Sequence, residues 1–320
     1  MSNYQITFKK TTDFSDDQWE NYAHNFNYIF KRNFTVADFK NKYTGSSLGY
    51  SFHGILLNGD NIVGMVSAIP RKYLLFGKET TVALACDAFI LPEHRKDERF
   101  LKQMADIIVD NLKKSNIIYL ISMPNKTAYP YWKYYVGWKD ISLLNYYVVP
   151  LRLGTIIKKW QFLNVFSNLL CRSLVLFSIL YYRKSKNAEN NISLLRDNAY
   201  FSERYSSDYN IRYYSNESGF VYRIYDEEGI KTAYIIDCFP LTKNTITNSV
   251  NQIIKEVGKE IDIIMYIGKI AQLPLCLLKV PPNKEPRKQP FIGLCLDKTN
   301  DKAFYDMANL NIGLANFDNR

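Results

Sequence analysis

One carboxylate interrupts the most strand-like apolar run of this chain. In Thr81-Val-Ala-Leu-Ala-Cys-Asp-Ala-Phe-Ile-Leu91, Asp87 is the exception among apolar neighbours. A carboxylate in a strand covered on both faces is costly unless it is paired or used chemically. It could act as a base or bind an amine. Asp237 repeats the pattern in Ile236-Asp-Cys-Phe-Pro240, which favours a structural hydrogen-bonding role for both. Just downstream, Arg95, Lys96 and Arg99 share a polar turn with Asp97 and Glu98, ahead of a helical pattern. Four phenols, Tyr129, Tyr131, Tyr134 and Tyr135, crowd a third stretch. Most tyrosines fill cores with the hydroxyl hydrogen-bonded.

These groups need elements to hold them. The spacing predicts a strand over 81–91, a turn over 92–97 and a helix over 97–114 that Asp97 can cap. The helix's apolar stripe is Leu101, Met104, Ile108 and Leu112. A strand over 117–122 and a second helix closing at Gly137 complete a β-α-β-α unit. Upstream, the pattern predicts a strand at 4–9 and a helix capped by Ser15, then a shorter helix over 35–43. Strands at 52–57 and 62–69 are joined by the hairpin signal Asn58-Gly-Asp-Asn61, and another strand follows at 72–76. A closing strand or hairpin is expected over 139–149, and Pro150 ends the domain.

Two segments resemble motifs of the GNAT superfamily of acyl-CoA-dependent N-acyltransferases. Ile90-Leu-Pro-Glu-His-Arg-Lys-Asp-Glu-Arg-Phe-Leu101 is similar to its strand-turn-helix cradle for the CoA pyrophosphate. Pro124-Asn-Lys-Thr-Ala-Tyr-Pro-Tyr-Trp-Lys-Tyr-Tyr-Val-Gly-Trp138 is similar to its Asn-x-x-Ala helix. The resemblance covers about 150 N-terminal residues. It implies a mixed, mostly antiparallel α/β (α+β) sheet flanked by helices, with acetyl-CoA or another acyl-CoA as co-substrate. It further implies backbone contacts to the cofactor from Phe89, Ile90 and Leu91, a phosphate turn formed by Arg95, Lys96, Asp97, Glu98, Arg99 and Phe100, and a cofactor contact at Asn125. Asp87, Tyr131 and Tyr134 are the implied catalytic candidates. The chain departs from the family's Arg-x-x-Gly-x-Gly/Ala by placing Glu98 and Phe100 where small residues let backbone approach phosphate. It also has one residue more than usual between Asn125 and Gly137.

The remainder reads as a basic apolar connector over 151–190 and a second, degenerate GNAT-like half over 191–320. In that half a hairpin over 219–239 leads to a helix carrying Ile246, Val250, Ile253 and Val257. Strands follow at 261–267, 275–280 and 291–296. The turn after Phe239 has neither arginine nor glycine, so no CoA is expected there. Within the connector, residues 162–182 are apolar enough for a membrane span, yet Arg172 falls at the centre. Asn164, Ser167, Asn168, Cys171 and Ser178 share one helical face. The expectation is a helix packed between domains, or one lying in a membrane interface through 155–183.

The net charge of +10 over 320 residues is concentrated in that connector. No recognition-helix or RNA-binding signature appears, so nucleic acid is not expected. Five scattered cysteines without Cys-x-x-Cys, and histidines outside ligand spacing, indicate neither disulfides nor a metal. The N-terminal residues lack a secretory pattern, which makes the cytoplasm the expected compartment. The leading expectation is an N-acyltransferase acting on an amine, with an amino sugar of surface-polysaccharide synthesis as candidate acceptor. The alternatives are a Fem-type aminoacyltransferase and a non-catalytic GNAT-like binding protein.

Overall fold

The computed structural model describes residues 4–75, 77–182, 192–197, 200–201, 204–205, 208–215, 217–270, 272–299, 301–306 and 312–317. In chain order the elements are β1 (Tyr4–Lys10), α1 (Asp16–Phe30), α2 (Val36–Thr44), β2 (Phe52–Asn58), β3 (Asn61–Leu75), β4 (Lys78–Ile90), α3 (Arg99–Lys114), β5 (Tyr119–Ser122), α4 (Ala128–Pro130) and β6 (Lys139–Pro150). Then come α5 (Leu153–Ile156), α6 (Leu163–Tyr182), β7 (Ile192–Leu194), β8 (Asn210–Ser215), β9 (Ser218–Glu227), β10 (Ile230–Phe239), α7 (Lys243–Val257), β11 (Ile263–Gly268), β12 (Leu278–Lys279), β13 (Gln289–Cys295) and α8 (Asp301–Tyr305).

The chain forms two compact units. Unit 1 comprises Met1–Leu143, Asn191–Arg204 and Gln289–Leu310, and unit 2 comprises Leu144–Asn190, Tyr205–Lys288 and Asn311–Arg320. This division is interleaved, unlike the contiguous one expected at 150 and 190. The cause is non-local strand pairing. In unit 1, β5 takes β13 as its antiparallel neighbour, with Gly293 opposite Ile121, while β6 pairs with β11 in unit 2, with Val148 opposite Met265.

In unit 1, β1 to β4 form an antiparallel run and β4 lies parallel to β5, so the sheet is mixed and largely antiparallel. α1 starts on the Ser15 cap, whose hydroxyl accepts from Gln18 N, and α2 starts on Thr35 in the same way. Their aromatic faces meet in a cluster of Trp19, Tyr22, Phe26, Phe39 and Tyr43, all buried. α3 packs Met104, Ala105, Ile108 and Leu112 against Phe52, Leu56, Ala83 and Ala85. It lies close because Gly54 has no Cβ, and a Cβ there would collide with the Met104 carbonyl. The two strands expected over 62–76 are one continuous β3 running through Pro70. The β2 ladder stops at Phe52 opposite Ala68, so Pro70 has a strand partner on one side only and its missing N–H breaks no ladder.

In unit 2, β8, β9 and β10 are antiparallel, and α7 carries the chain from β10 to the parallel strand β11. Ile246, Val250, Ile253 and Ile254 of α7 enter the core with Phe220, Tyr222 and Ile264. The strand expected over 275–280 is limited to Leu278–Lys279, paired with β6.

Candidate active site

The parallel ladder between β4 and β5 lasts three pairs, from Val82 opposite Tyr119 to Leu84 opposite Ile121. There the strands part. Ser122 closes β5 by donating its hydroxyl to the Ala85 carbonyl at 2.9 Å, whereas β4 continues to Ile90 on its β3 side. The β3–β4 register shifts between Met65 and Ser67, and Asp87 in the opposing bulge adopts φ +52°. Such a bulge bends the strand where a carboxylate is re-aimed. Asp87 points to α2. Tyr43 donates to its Oδ2 at 2.6 Å, and the Lys42 ammonium lies 2.6 Å from the same atom. Behind Tyr43 the polar chain continues to Tyr22 at 2.6 Å and to Ser67 at 3.3 Å. Ser67 lies 2.9 Å from His53 Nδ1, and Thr11 lies 3.0 Å from His53 Nε2. Burial, reinforced by the neighbouring Asp87, pushes the Tyr43 phenol well up, and burial drops His53 to about 3. In unit 2 the β9–β10 register also shifts, between Ile235 and Asp237, and Tyr205 donates to Asp237 at 3.3 Å. Both strand carboxylates therefore accept from a tyrosine beside a bulge.

The Leu91 amide donates to Val63 O at 2.8 Å, so it is spent on β3, and antiparallel alternation turns Phe89 the same way. Phe89 itself is buried against Tyr22, Phe26 and Phe30. Ile90 is the residue whose carbonyl faces out of that ladder, and it accepts from Arg95 Nε at 2.8 Å. Of the three residues expected to offer backbone to the cofactor, Phe89 and Leu91 face β3 and Ile90 faces out of that ladder.

The charged turn starts as a short 3-10 segment, Pro92–His94, and α3 begins at Arg99 instead of Asp97. Asp97 serves the helix start from outside: its Oδ1 accepts from Arg99 N at 2.9 Å, and both its oxygens receive the Arg99 guanidinium at 2.7–3.1 Å. Those hydrogen bonds hold the Asp97 carboxyl below its usual range. Arg95, Lys96, Glu98 and Arg99 are exposed. Phe100 turns inward, its ring 5.1 Å from Tyr4, so it does not block the turn. Tyr4 OH also lies 2.9 Å from His94 Nδ1.

The second motif explains its extra residue. After α4, residues Tyr131–Val136 form a π-turn, and Gly137 closes it at φ +86° with its amide on the Trp132 carbonyl. A π-turn absorbs one inserted residue without breaking the helix, and such turns concentrate at functional sites. Asn125 is a helix cap, its Oδ1 accepting from Thr127 N at 3.0 Å and Ala128 N at 2.8 Å. Trp132 is buried against Trp138, 4.7 Å between centroids. Tyr131 is exposed and stacks on Tyr135 at 5.5 Å. Tyr134, 72% exposed, points into solvent beside Lys133. Tyr135, read as one of four phenols but not as a catalytic candidate, lies beside Tyr131. The charge of Glu98, and a hydrogen bond to it, raise the Tyr135 phenol, which ties the π-turn to the start of α3. Lys133, Tyr129 and Asp140 form a separate cluster, with Lys133 Nζ 2.5 Å from Asp140 and Tyr129 donating to Asp140 at 2.8 Å.

An open, mostly antiparallel α/β sheet that parts between two parallel strands beside a helix N-terminus is the fold of the acyl-CoA-dependent N-acyltransferases. Residues 10–139 match the Acetyltransferase (GNAT) domain family. Solved structures agree on the fold. A conserved protein from Enterococcus faecalis V583, described as a probable N-acyltransferase, aligns with a TM-score of 0.59 at 14% identity, over 92% of this chain and 74% of that one. A GCN5-related N-acetyltransferase from Anabaena variabilis ATCC 29413 gives 0.58 at 12% identity, over 91% and 73%. Eis1 from Mycobacterium abscessus gives 0.57 at 11%, over 94% and 76%. No curated protein matches the chain significantly.

Proposed function

We propose that unit 1 is an acyl-CoA-dependent N-acyltransferase that moves an acyl group, acetyl first among candidates, onto an amine. The observation that carries this is the parting of β4 from β5 beside the N-terminus of α3. The residues present suit a CoA ester in three respects. The opened edge of β4 offers backbone at Ile90, the helix start favours anions, and Arg95 and Lys96 are exposed cations at the turn. The thioester, when bound, supplies an activated acyl carbon.

Around it, this chain's residues have separate tasks. Tyr131 is the phenol we assign as proton donor to the departing thiolate, because it is exposed and held by its stack on Tyr135. Asp87, accepting from both Lys42 and Tyr43, is a positioning residue that fixes the bulge where the strands part. Unit 2 repeats the order of antiparallel hairpin, helix and parallel strand, and we read it as a second GNAT-like half. The first turn of α7 is capped by its own Thr242 hydroxyl and offers no arginine, so we assign it no cofactor. The five free cysteines suit a cytoplasmic setting, and an amino sugar is the acceptor class to test first.

Isothermal titration of the full chain with acetyl-CoA and desulfo-CoA tests this reading. Micromolar binding, weakened about tenfold in Arg95→Ala, is expected from loss of one phosphate contact. Silence up to millimolar with both ligands would remove acyl-CoA as substrate, and transfer from charged tRNA would then support the aminoacyltransferase alternative.

A further inference from the structure

The amphipathicity of α6 is inverted. Its small polar residues face the protein. Ser167 donates to the Leu151 carbonyl at 2.9 Å and accepts from Leu153 N at 3.1 Å, while Asn164 accepts from Thr155 N at 3.1 Å. Cys171, Val175 and Ser178 are buried in unit 2. Outside, every exposed residue of α6 from 163 to 181 is apolar or, at Tyr181, aromatic with a polar tip. Val165, Phe166, Leu169, Leu170, Phe177 and Leu180 are each 60–72% exposed. The stripe runs the length of a 20-residue helix, about 30 Å. Contiguous apolar surface of that extent marks an interaction site.

The charge around the stripe selects its partner. Lys158 and Lys159 are exposed just before the helix, Arg172 flanks it with its Nε on Asn168, and Arg183, Lys184 and Lys186 follow it in sequence. From Ile141 to Ala188 the sequence contains no Asp or Glu. A second copy of this chain would bring like charges together across a two-fold contact. A bilayer span would need apolar surface all round, although α6 is long and apolar enough by composition, and its inner face is committed to the unit 2 core. An anionic lipid surface matches both features: apolar side chains enter the headgroup boundary while flanking lysines and arginines meet lipid phosphates.

We propose that the outer face of α6 docks the protein in the plane of an anionic membrane surface. This places the enzyme where lipid-linked or surface-bound acceptors are held, and it stands apart from any assignment of the acyl donor.

Flotation of the full chain with vesicles tests it. The wild type is expected to float with phosphatidylcholine–phosphatidylglycerol vesicles and to do so less with phosphatidylcholine alone. Phe166→Glu/Phe177→Glu, which touches only exposed positions, should cut partitioning at least about tenfold while circular dichroism and Tm stay unchanged. Lys158→Glu/Lys159→Glu should weaken binding in a salt-dependent way. A wild type that stays in the dense fraction with anionic vesicles would overturn the proposal, as would equal flotation of the Phe166→Glu/Phe177→Glu variant. So would a lipid-free dimer in sedimentation equilibrium that the same variant dissolves, since the face would then belong to a second copy.

Discussion

Lys42 Nζ and Asp87 Oδ2 are 2.6 Å apart, with 9% and 10% of their side chains exposed. The pair joins α2 to the bulge of β4, and Tyr43 completes the carboxylate's coordination. Removing one member of a buried pair leaves the other uncompensated, which costs about 3–5 kcal/mol, whereas replacing both is far milder. Lys42→Met should therefore lower unfolding stability more than Lys42→Met combined with Asp87→Leu. Urea denaturation of the two variants checks this, and equal losses would mean that the ion pair contributes little.

His53 sets a pH dependence. Burial drops it to about 3, against 6.5 in an exposed chain. Between those values the unfolded state binds a proton that the folded state does not, so stability falls as pH falls below 6.5, by at most about 1.4 kcal/mol per pH unit. Above 6.5 the group adds no slope. The urea midpoint of the wild type should decline from pH 6.5 to 5, a window above most carboxylate titration. His53→Asn should be flatter over that window, and parallel curves would place the dependence elsewhere.

Much of this was legible in the residues themselves. The cost of a carboxylate in an apolar strand singled out Asp87, and helical spacing singled out the stripe of α3 from Leu101 to Leu112. The charged turn and the Asn125 motif carried the family resemblance. What failed was information that local pattern does not contain. Nothing near Phe291 signals that β13 pairs with β5, because that partner lies more than 160 residues away. That Ile90 faces away from β3 while Leu91 faces it was not legible, because period-two alternation fixes parity but not which parity faces β3. The extra residue before Gly137 was visible, but not that a π-turn would absorb it. The polar face of α6 was legible, but a periodicity shows two faces without saying which one meets the protein.

Two glycines separate packing from backbone strain. At Gly54 a Cβ would strike the Met104 carbonyl of α3, which cannot retreat without moving the helix. At Gly137 a Cβ meets open space, and only φ +86° opposes it. Gly54→Ala should cost about 2–3 kcal/mol and Gly137→Ala about 1 kcal/mol. Thermal unfolding of both variants should rank them in that order. The reverse ranking would show that α3 is free to shift off β2.

Under the proposed function, Glu98 puts a negative charge where the cofactor's diphosphate would lie. It stands where the family has a small residue, it caps no amide of α3, and its charge raises the Tyr135 phenol. Glu98→Gln removes that charge without changing side-chain size. Tyr135 should then titrate at lower pH, seen directly in a spectrum of ring-labelled tyrosine. CoA should bind more tightly, by about fivefold, the equivalent of about 1 kcal/mol for one charge removed near a solvated diphosphate. A shifted Tyr135 with unchanged CoA affinity would show that the diphosphate does not approach the start of α3. An unshifted Tyr135 would show that its contact with Glu98 is not maintained in solution. With both changes present, the turn over Arg95 to Arg99 is the cofactor's phosphate site, weakened in this chain by a single carboxylate.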